Sequence, residues 1–300
     1  MNPVNRATAI GFISIVLWGM LALFTSLTNG KIPPFQMLAM TFSASFFLML
    51  VNWWRQGKSG LEYARQPWLA WTIGLGGLFG YHALYFLAMS KAPPVQASLI
   101  AYLWPLFIVL FSALLPGERL TKYSIIGAII ALTGCWILVG GGSGHFSTQY
   151  LVGYLAAFAC AIWWAAYSVA SRFVKNVPTD AVGWFCGATA VLGLICHLLF
   201  EQTVWPADYL EWLGLLGLGF GSIGISFFTW DYGVKHGNIQ LLGVLSYAAP
   251  LISVVLLMLA GKAEPSLNVL IACAAIVGGA VLASQSNRTQ YSLKANKSNE

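Results

Sequence analysis

The stretch ALYFLAMSKAPPVQASLIAYLWPLFIVLFSALLPGERLT, residues 83–121, contains the end of one hydrophobic run, a tight turn, a complete second run and a charged exit. Moved forward by 145 positions, it falls on FTWDYGVKHGNIQLLGVLSYAAPLISVVLLMLAGKAEPS, residues 228–266, with Tyr102 on Tyr247, Pro105 on Pro250 and Leu106 on Leu251. Each copy places a proline inside an apolar run of more than twenty residues. A soluble helix core is rarely so long or so free of charge, whereas ~20 apolar residues are what ~30 Å of hydrocarbon demands. The second half of the chain re-uses the plan of the first.

Composition agrees. Apolar residues make up 58% of the chain and charged ones 8%, where soluble domains carry about 25% charged residues. This excludes an ordinary soluble domain and reads as a polytopic membrane protein. Hydrophobic runs bounded by charge, Pro and Gly give ten spans, at 8–28, 34–54, 68–89, 95–115, 123–141, 151–171, 181–200, 211–233, 239–260 and 266–284. The amino terminus, every even-to-odd loop and the tail then share one side. That side holds all fifteen Lys and Arg except Lys31, Lys91 and Lys262, which places both termini in the cytoplasm. The net charge of +6 therefore reports topology and implies no nucleic-acid partner. The first run has no small-residue cleavage site and reads as a retained helix. Cys135, Cys160, Cys186, Cys196 and Cys273 lie in spans without metal spacing and read as small apolar side chains.

Five spans per repeat is an odd number, so the second repeat enters the membrane in the opposite sense to the first. Trp18 meets Trp163, Ser26 meets Ser171, Pro33 meets Pro178, Gly76 meets Gly221 and Gly134 meets Gly279 at the same offset. The chain divides into a first repeat (1–141), a linker (142–150), an inverted second repeat (151–284) and a cytoplasmic tail (285–300). The glycine cluster at 140–144 lacks the Lys-Ser/Thr of a phosphate-binding loop and reads as part of that linker. In inverted-repeat carriers the substrate sits near the midplane, and the halves rock to alternate access.

The VLWG of the first span (16–19), the GERLT that closes the fourth (117–121), Gly127 and Gly134 in the fifth, and the ten spans in two inverted sets form a recognisable pattern. It resembles the EamA-type branch of the drug/metabolite transporter superfamily over nearly the whole chain. Within that branch, YHALYFLAMSKAP (81–93) and IAYLWPLF (100–107) are most similar to the aromatic amino acid exporters of bacterial inner membranes. The resemblance implies an all-helical, basket-like fold with a central cavity, moving amino acids or related metabolites outward.

Intramembrane carboxylates mark coupling sites because each costs ~2.5–3.5 kcal/mol at a helix centre, and these spans hold almost none. Glu118 and Glu264 lie at span exits, and Asp231 precedes Lys235 by four residues as an interfacial pair. His82 is the mid-span titratable group. It either exchanges a proton near neutral pH or hydrogen-bonds across a helix interface, and Tyr81 and Tyr85 stand beside it. His197 reads as structural. A mid-helix proline frees the carbonyl four residues back, so Pro105 releases Ala101 and Pro250 releases Ser246, beside Tyr102 and Tyr247. These carbonyls either line a cavity or are satisfied by a neighbouring serine or water. Trp18, Trp104, Trp163, Trp164 and Tyr167 lie deep in their spans, where polar-tipped rings favour a cavity or a partner. Trp53, Trp54, Trp68, Trp71, Trp205 and Trp212 lie near span ends as an interfacial belt. Gly76 with Gly80, and Gly217 with Gly221, read as smooth packing faces. The expected substrate-binding set is Trp18, Tyr81, His82, Tyr85, Tyr102, Trp104, Trp163, Trp164, Tyr167, Ser246 and Tyr247, with kinks at Pro105 and Pro250.

A site without fixed charge but rich in phenol, indole and hydroxyl groups holds a zwitterion through dipoles while stacking an apolar side chain. The expectation is a monomeric inner-membrane exporter of amino acids, aromatic ones first, embedded in the lipid bilayer. It would work by alternating access or facilitated diffusion, with no cofactor, no metal and no enzymatic activity. The alternative is a proton-coupled multidrug or metabolite exporter, for which His82 is the candidate group.

Overall fold

The computed structural model describes residues 2–140, 147–261, 264 and 266–297, with 140 and 285–297 as backbone only. Residues 141–144 of the glycine-rich join, and Lys262, lie outside the described residues. Among the described residues all regular structure is helical. Ten spans among the described residues are long and apolar enough to cross a membrane: Pro3–Leu27, Pro34–Arg55, Trp68–Lys91, Pro94–Leu114, Lys122–Val139, Thr148–Val174, Ala181–Phe200, Tyr209–His236, Ile239–Leu259 and Leu267–Ser284. Span 1 starts five residues earlier than its hydropathy suggests. The Asn2 side chain accepts from Val4 N–H, and Pro3 occupies the first turn, where no donor is needed. The helix of span 10 runs on to Lys297.

Helix packing follows a pseudo-two-fold relation between the halves. Span 1 packs on span 8 and span 3 on span 6, while 2 pairs with 7, 4 with 9 and 5 with 10. Individual contacts repeat at the 145-residue offset. In the 5–10 pair, a Cβ on Gly127 would meet the Gly279 carbonyl at 2.5 Å, and one on Gly134 would meet the Ala272 carbonyl at 2.9 Å. Exchanging the halves converts one contact into the other. Likewise Gly237 lies against Thr8, and Gly153 against Ala92. Spans 2 and 7 are pinned at both membrane faces. Glu201 accepts from the N–H groups of Phe35 and Gln36 at 2.9 and 3.0 Å, and Trp53 Nε1 donates to Asp180 at 3.0 Å. His197 joins the first of these pins, with Nδ1 2.9 Å from Glu201 and Nε2 2.9 Å from Thr203.

Spans 4 and 9 are interrupted at related places. Span 4 is Pro94–Ala101 followed by Trp104–Phe111, and span 9 is Ile239–Leu245 followed by Ala248–Leu259. The disturbance expected at Pro105 and Pro250 falls two to four residues before each proline. Each proline sits in the first turn of the second segment, where its missing donor costs nothing, and the chain breaks just before it. Nor is the Ser246 carbonyl free, since Ala249 N–H donates to it at 3.1 Å. Spans 3 and 8 each contain a π-helical segment, Gly76–Gly80 and Leu218–Ile225. The widened turns change which glycines pack. Gly77 and Gly80 approach the rings of Tyr167 and Trp163, whereas Gly76 faces open space.

Candidate functional site

Four indoles from four different spans meet in the interior: Trp18 (span 1), Trp104 (span 4), Trp164 (span 6) and Trp230 (span 8). All six pairs lie within 5.0–6.4 Å, most of them edge to face. Such pairs add about 0.5–1.5 kcal/mol each beyond their burial. Trp230 is fully buried, and its Nε1 donates to Ser168 Oγ at 3.1 Å. Phe227, one turn away on the same helix, packs on Trp18 and Trp164. Trp230 was not among the expected site residues. The offset that aligned the repeats places it on Tyr85, a residue that was, so the signal was present.

A second group adjoins this tetrad. The Tyr81 ring is 4.9 Å from Trp164 and stacks on Tyr85 at 6.0 Å and 18°. Tyr102 packs against the cluster of Val109, Cys135 and Tyr247. Tyr167 is buried 5.1 Å from Trp164. His82 is ringed by Phe42, Tyr81 and Phe86, and its Nδ1 lies 2.7 Å from the Leu78 carbonyl. A carbonyl can only accept, so Nδ1 carries a proton there. Tyr81, His82, Tyr85 and Tyr102 are half-buried, unlike Trp104, Trp164 and Trp230.

Three expected residues lie elsewhere. Trp163 is 45% exposed on the outer surface and donates to the Gly76 carbonyl at 2.7 Å. Its neighbour Trp164 takes the inward position, because consecutive helical residues point about 100° apart. Tyr247 is fully buried among Val109, Ala131 and Cys135 of spans 4 and 5. Its hydroxyl accepts from Leu106 N–H at 3.1 Å, replacing the helical acceptor lost at the span 4 break. Ser246 is buried too, with Oγ donating to the Leu242 carbonyl. This pair secures the junction of spans 4 and 9 and does not join the indole tetrad.

Toward the face that bears the amino terminus, hereafter the N-face, the tetrad is underlain by charge. Asp231 and Lys235 form a buried 2.9 Å pair, to which Thr179 and the Val177 carbonyl add hydrogen bonds. Arg172 pairs with Glu118 at 3.0 Å and also donates to the carbonyls of Val234 and Gly237. A separate apolar groove of about 1040 Å³ lies between spans 2, 3, 7 and 8, walled by Phe47, Trp71, Trp184 and Trp212. None of the expected site residues lines that groove.

Comparison with known proteins matches the EamA-like transporter family twice, over residues 6–140 and 151–285, which are again 145 positions apart. The chain is 53% identical over 281 residues to the aromatic amino acid exporter YddG of Ancylobacter novellus, covering 93% of this chain and 97% of that one. The YddG exporter of Escherichia coli K12 is 26% identical over 292 residues, covering 93% and 96%. A crystal structure of a protein 52% identical to this chain superposes with a TM-score of 0.91, covering 95% of this chain and 98% of that one.

Proposed function

This chain belongs to the EamA-like transporter family, and from that premise we propose that it exports amino acids, aromatic ones foremost, across a bacterial inner membrane. The observation that carries the reading is the tetrad of indoles at the meeting of spans 1, 4, 6 and 8. An aromatic side chain packs edge to face against such walls. The half-buried phenols of Tyr81, Tyr85 and Tyr102 supply dipoles for the zwitterionic end. The named function of the 53% identical relative points the same way. Substrate contact falls to Trp18, Tyr81, His82, Tyr85, Tyr102, Trp104, Trp164 and Tyr167, with Trp230 added. Both termini are cytoplasmic, and a single chain suffices for transport.

The deciding experiment is uptake of labelled phenylalanine into liposomes containing the purified protein, first without an ion gradient and then with an imposed pH gradient. Equilibration without a gradient supports a facilitator, and absence of any amino acid flux overturns the reading. Flux that appears only with the pH gradient supports proton-coupled export, with His82 as the first residue to replace.

A further inference from the structure

Arg172 occupies an unusual position. It sits on the 3-10 turn Ser171–Val174 that ends span 6. The contact Trp230 to Ser168 is followed, four residues on in both helices, by the contact of Arg172 with the Val234 carbonyl. The guanidinium thus lies on the N-face side of the tetrad, one to two helical turns along span 8 from the level of Trp230, roughly 6–11 Å.

Its partners are unequal. The Val234 and Gly237 carbonyls belong to the end of the span 8 helix and are fixed by the backbone. Glu118 comes from the loop between spans 4 and 5, in the other half, with its side chain 22% exposed. A mostly buried guanidinium stripped of its carboxylate is strongly disfavoured. Exchange of one carboxylate for another avoids that penalty, and of the three acceptors only Glu118 can swing into water.

We propose that Arg172 is the loading site for the substrate's α-carboxylate, which takes the place of Glu118 as the amino acid enters from the N-face. The exchange recognises the carboxylate and simultaneously releases an ion pair that ties the two halves together at the N-face, so that entry of substrate itself loosens the packing there. Ligands of this site are amino acids with a free carboxylate; amines and amides of the same shape are poor ones. The inference rests on the exporter reading above.

The test uses the full chain in liposomes, with labelled phenylalanine competed by unlabelled phenylalanine, phenylalaninamide or phenethylamine. In the unaltered protein the two carboxylate-free compounds should compete at least about tenfold more weakly, as expected for loss of a charge-assisted hydrogen bond. Arg172→Gln should abolish that preference, and Glu118→Gln should lower the half-saturating phenylalanine concentration several-fold by removing the internal competitor. Retained preference in Arg172→Gln, or an unchanged or raised half-saturation in Glu118→Gln, overturns the assignment while leaving the exporter reading intact. Should Arg172→Gln elute as aggregate on gel filtration, the Glu118→Gln result alone decides. Failure of the unaltered protein to take up any amino acid overturns both readings.

Discussion

Truncating Trp230 removes ring contacts at 5.0, 5.9 and 6.4 Å and leaves Ser168 Oγ without its donor. Trp230→Ala is expected to cut phenylalanine flux by more than about tenfold, and Trp230→Phe, which keeps a ring but no N–H, should fall between. Liposome uptake at matched protein density measures both. Tyr247→Phe is expected to act differently. It strands the Leu106 N–H in a buried junction at a cost of about 1–3 kcal/mol, so thermal unfolding in detergent should shift down while flux per folded molecule stays level. Lost flux at unchanged stability would return Tyr247 to the site. Trp18, Trp104 and Trp164 were legible in the sequence because deep indoles need somewhere to put an N–H. Trp230 carried a signal too, in its offset partner Tyr85, but Asp231 and Lys235 beside it read as a span end. The choice between Trp163 and Trp164 is made by helix rotation, which hydropathy does not encode in so uniformly apolar a span.

Helix pairs depend on close approach at few points. Gly127→Val drives a branched side chain against the Gly279 carbonyl, 2.5 Å from where its Cβ must sit. Backbone cannot yield as a side-chain tip can, so this variant should unfold at markedly lower temperature. Gly278→Val, next to that contact but facing open space, should leave the unfolding temperature within a few degrees, as surface changes usually do. An equal loss for both would mean that the 5–10 pair is not set by the glycine crossing. The ten spans were readable because hydropathy reports the solvent, and the shared prolines marked the disturbed helices. The positions of the breaks and the π-helical turns were not readable, since they depend on which neighbour satisfies each displaced backbone group, as Tyr247 does for Leu106.

No half of the molecule buries its own faces: spans 1, 2, 3 and 5 rest on 8, 7, 6 and 10. A chain cut within 141–146 and co-expressed as two fragments should recover phenylalanine transport, whereas either fragment alone should fail to accumulate in the membrane. Accumulation of a lone fragment at the level of the intact chain would show that the halves are independent. The inverted plan was visible from an odd number of spans and one constant offset, yet the halves are not chemically equivalent. At that offset Arg172 corresponds to Leu27 and Glu118 to Ala263, so this pair has no counterpart by symmetry, and the opposite face joins the halves differently, through Lys31 and Glu211 at 3.7 Å. On the loading proposal, an empty carrier parts Glu118 from Arg172 with no incoming carboxylate to take its place, so that idle turnover is slower than turnover with cargo.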